Sequence, residues 1–88
     1  MEIKEEEVGK EYLDTLKEIV AIRKERRLKY HDSFLDDNIA MLYTFAFGKL
    51  RRFEISKDKD DIIDACNYII FLISVFNKKN KFNKKNKK

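Results

Sequence analysis

Asp60, Asp64 and Asn67 stand four and three residues apart, so on a helix they share one stripe, flanked by Asp61 and Tyr68. Carboxylates about one helical turn apart suit a hard divalent cation such as Mg²⁺. That ion takes oxygen ligands and often uses one or two carboxylates together with phosphate oxygens. Phosphate-neutralising side chains stand at Lys49, Arg51 and Arg52, and a second basic run, RKERRLK, begins at Arg23. The acids sit in unusual surroundings. Residues 58–76, DKDDIIDACNYIIFLISVF, begin as a patch of acid and become almost wholly apolar. A helix that is apolar nearly all round is covered on several sides. Carboxylates on it are costly to bury unless they are paired, solvated or bound to a metal.

The elements that position these residues read as helices. The 88 residues contain no proline and only two glycines, Gly9 and Gly48, so the usual punctuation of β-hairpins is missing. Residues 1–30 form a first candidate helix, with Tyr12, Leu13, Leu16, Ile19 and Val20 at helical spacing and Gly9 marking a frayed start or a bend. Its basic end suits the negative pole of the helix dipole, which is preferred here to an anion site. YHDSFLDDN, residues 30–38, is an interhelix loop with Asp32, Ser33, Asp36 and Asp37 as turn or N-cap residues. His31, the only histidine, reads as an exposed loop residue and not as a zinc ligand.

A second helix is expected from about Asp37 to Phe53. It carries two apolar stripes, one through Ile39, Leu42, Tyr43, Ala46, Leu50 and Phe53 and one through Met41 and Phe45. Two stripes imply two contacts, such as other helices on one side and a second subunit on the other. Gly48 within this helix either permits a close helix crossing or opens space for a ligand. The third helix starts near an N-cap at Ser56 or Asp58, and its first-turn acids suit the positive end of the dipole. The expected fold class is therefore all-α: a three-helix up-down-up chain spanning residues 1–76 as one domain, dimerising into a helical bundle.

Residues 77–88, NKKNKFNKKNKK, hold seven of the 20 basic residues and no acid, leaving 13 basic against 16 acidic residues in the rest. The net charge of +4 is thus a property of the tail, and the body is mildly acidic. The tail's low-complexity composition predicts disorder. It is either a solubilising extension or a contact for nucleic acid or other anionic surfaces through charge alone. Ile62–Phe76 is only 15 residues, short of the roughly 20 that a spanning helix needs. The N-terminal MEIKEEE has neither the basic start nor the apolar run of a signal peptide. The lone Cys66 reads as a small buried hydrophobe. The expectation is a soluble, cytoplasmic protein.

Three short motifs resemble a known family. KYHDSF at 29–34, GKLRRF at 48–53 and DDIIDACNYIIF at 60–71 together resemble the nucleotide-modification-associated domain of phage-like genomes. Asp60, Asp64, Asn67 and Tyr68 match its D-x-x-x-D-x-x-N-Y helix, Lys49 and Arg52 its middle motif, and Tyr30, Ser33 and Phe34 its first. Two positions depart: His31 stands where that family has glycine and Gly48 where it has an acid. The family is similar in style to the MazG-like nucleotide pyrophosphatases, although no E-x-x-E pair appears on the second helix here. The resemblance implies nucleotide handling with Mg²⁺. Asp60 and Asp64 would hold the metal, Asn67 would orient the site, and Lys49 and Arg52 would neutralise phosphate, with Ser33 beside it and Tyr30 packed against a base. The competing reading is a non-enzymatic helical dimer that acts as an interaction module, its acids solvated or paired with Arg51 or Arg52.

Overall fold

The computed structural model describes residues 2–86, with side chains through residue 80 apart from residue 35. Four α-helices follow one another: α1 (Glu5–Val8), α2 (Lys10–Tyr30), α3 (Ile39–Ser56) and α4 (Lys59–Asn86), with a 3-10 turn, Ser33–Asp36, before α3. The described residues contain no strand, so the chain is all-α as expected. They fall into two compact units, residues 1–31 and 32–88.

In the first unit the expected helix over residues 1–30 is two helices. Gly9 separates them at φ 92°, ψ 151°, a conformation that only glycine adopts without strain. Its N–H closes α1 on the Glu5 carbonyl and its own carbonyl accepts from Leu13 N–H, so the break costs few backbone bonds. Along α2, Leu13, Leu16, Ile19 and Ile22 are half-buried, while Tyr12 and Val20 are exposed. Arg23 reaches past the helix end and donates to the His31 carbonyl at 3.0 Å. The basic run thus includes a direct cap of the C-terminus, as the dipole argument expects. His31 has φ 55° and ψ −138°. That region strains any side-chain-bearing residue, and it is the position where the resembled family has glycine.

In the second unit α3 and α4 form an antiparallel helical hairpin joined by two residues, Lys57 and Asp58. Asn38, one residue beyond the expected candidates, is the cap of α3: its Oδ1 accepts from Met41 N–H at 2.7 Å. Lys57 closes α3 in the left-handed conformation, φ 56°, ψ 22°. The Asp58 carboxylate then accepts from Asp60 N–H at 3.0 Å and starts α4. The buried apolar side chains here are Leu42 and Ala46 on α3 and Ile63, Ala65 and Val75 on α4. Aromatic rings fasten the 3-10 turn to this hairpin. Phe34 stacks on Phe71 with centroids 4.1 Å apart, Phe71 meets Tyr68 edge-on, and Tyr68 meets Phe45 at 5.4 Å. Such ring pairs are worth about 0.5–1.5 kcal/mol each beyond their burial.

α4 does not stop at Phe76. It runs on to Asn86, with the Asn80 side chain donating to the Phe76 carbonyl. Propagating an existing helix costs far less than nucleating one, and lysine is a good helix former. Residues 87 and 88 of the expected disordered tail lie outside the described residues. No helix among the described residues is long and apolar enough to cross a membrane.

Candidate functional site

The hairpin brings the middle and last motifs face to face. Stepping back along α3 and forward along α4, Arg52 meets Asp61, Lys49 meets Asp64 and Phe45 meets Tyr68. The steps are three or four residues on each helix, the register of antiparallel helices in contact. Lys49 Nζ lies 3.0 Å from Asp64 Oδ2, with the two side chains 29% and 19% exposed. Arg52 Nε lies 3.6 Å from Asp61 Oδ1. The second Asp61 oxygen accepts from the Ser56 hydroxyl at 2.7 Å, and that hydroxyl in turn accepts from Asp58 N–H. Asp61, only 10% exposed, is therefore held by a cation and a hydroxyl, as a buried carboxylate requires.

Asp60 is exposed, one residue before the buried Asp61. The carboxylates facing α3 are thus Asp61 and Asp64, an i, i+3 pair opposite the i, i+3 pair Lys49 and Arg52. Asn67 is 5% exposed and its Nδ2 finds no hydrogen-bond partner among the described residues. A bare buried donor costs about 1–3 kcal/mol. Neither Asp64 nor Asn67 faces bulk water.

Ser33 opens the 3-10 turn and is exposed, next to the Phe34 that stacks on Phe71. Tyr30 is the last residue of α2, in the other unit, with the Lys29 ammonium 5.5 Å above its ring. The structure therefore unites Lys49, Arg52, Asp61 and Asp64, with Asn67 one turn further along α4. The Ser56–Asp61 link had no signature in the sequence beyond the shortness of the connection between the helices. Gly48 is not at a close crossing: a Cβ added there meets nothing within 4 Å.

Among the described residues, no three His, Cys, Asp or Glu side chains converge as a metal-binding group. The two α3-facing carboxylates fit Mg²⁺ only as an ion that brings phosphate and water for its remaining positions, not as one held by a protein cage. No family model matches the chain, and neither a curated protein nor a solved structure is found similar to it.

Proposed function

We propose that the chain binds a nucleotide polyphosphate together with Mg²⁺ at the α3–α4 hairpin, as a homodimer in the cytoplasm. The observation that carries this reading is the Lys49–Asp64 pair one helical turn from the bare buried amide of Asn67. A Mg²⁺-phosphate unit is itself an ion pair. Lys49 and Arg52 would turn to phosphate oxygens, Asp64 and Asp61 to the cation, with Asp60 at the exposed rim. Charges that neutralise one another in the free protein would then neutralise the ligand, without leaving a buried charge unpaired. The Asn67 amide would gain an acceptor. Mg²⁺ in such a site supplies charge neutralisation and activation of water for phosphoanhydride hydrolysis. The contacts Phe34–Phe71, Lys49–Asp64 and Arg52–Asp61 support the reading further, because they link all three motifs that carry the family resemblance.

The test is a melting experiment with nucleoside triphosphates, with and without Mg²⁺ or Mn²⁺, alongside an assay for released phosphate or pyrophosphate. A ligand that binds only the folded state at a hundredfold its Kd stabilises by about 2.7 kcal/mol. If no nucleotide, with or without the metal, gives a melting shift or turnover, the proposal is overturned.

A second reading, a non-enzymatic helical interaction module, is favoured by one observation: Asp61 and Asp64 already have partners in Arg52, Ser56 and Lys49. On that reading the charges set the register of the hairpin. Nucleic-acid contact would come from the lysines at the end of α4 and would weaken steeply with salt.

A further inference from the structure

We draw no further inference here: the strongest candidate, the exposed apolar stripe of Ile62, Ile69, Ile73 and Phe76 along α4, is a bare helix face, and nothing in the structure shows what covers it.

Discussion

Lys49 on α3 and Asp64 on α4 hold each other at 3.0 Å across the hairpin, and each is mostly withdrawn from solvent. An ion pair in this setting contributes modestly to stability as a pair, yet it makes each member costly to remove alone. That asymmetry gives the first experiment. Asp64→Ala should destabilise the fold and, under the nucleotide reading, also abolish the melting shift produced by Mg²⁺ and nucleotide. If Asp64→Ala raises the melting temperature and leaves every ligand response unchanged, Asp64 is not a ligand and the interaction-module reading stands.

Asp61 and Arg52 should respond unequally although they face each other. Asp61→Ala leaves Arg52, 70% exposed, and the exposed Ser56 hydroxyl to be satisfied by water, so its cost should stay under about 1 kcal/mol. Arg52→Ala leaves the Asp61 carboxylate, 10% exposed, without its cation, at a cost of about 1–3 kcal/mol. Urea denaturation of the two variants measures the difference, and equal costs would contradict the geometry.

His31→Gly should stabilise the protein. The positive φ of His31 carries strain of about 1–3 kcal/mol, while the added glycine gives back only part of that through the unfolded chain. A net gain of about 1 kcal/mol in thermal denaturation is expected. A loss would mean that the imidazole makes a contribution outweighing its backbone.

Gly48→Ala should also stabilise, by up to about 1 kcal/mol, because the position is helical and the space around it is open. If the variant keeps that gain but loses nucleotide-induced stabilisation, the open space at Gly48 belongs to the ligand. Gly9→Ala should act in the opposite sense, since its φ of 92° excludes a side chain even though no neighbour stands in the way.

Deleting residues 81–88 removes five of the seven tail lysines. A salt-sensitive gel shift with nucleic acid should weaken strongly in the deletion if the end of α4 carries it. An unchanged shift would rule that contact out.

The helices themselves were legible from apolar spacing, because burial imposes its period on sequence. The break at Gly9 was legible as a position, though only the backbone shows that it separates two helices. The cap of α3 was missed by one residue because Asp32, Ser33, Asp36, Asp37 and Asn38 crowd a short segment and all suit the role. The exposed Asp60 and the buried Asp61 could not be distinguished from α4 alone. Which side of α4 meets α3 is set by a two-residue connection, and a shift of one residue turns a helix by roughly 100°. The extension of α4 beyond Phe76 was missed because composition speaks for the segment by itself, whereas a helix already formed carries its neighbours along.

The connection through Lys57 and Asp58 has a kinetic consequence. Ser56 and Asp61 are five residues apart in the chain, and Arg52 and Asp61 nine, so the first contacts between α3 and α4 close very small loops. Loops of about ten residues close in roughly 10–100 ns, and folds dominated by such local contacts form in microseconds to milliseconds. The hairpin should therefore zip outward from its bend, each charged rung shortening the search for the next, with the ring contacts of Phe34, Phe71 and Tyr68 arriving last.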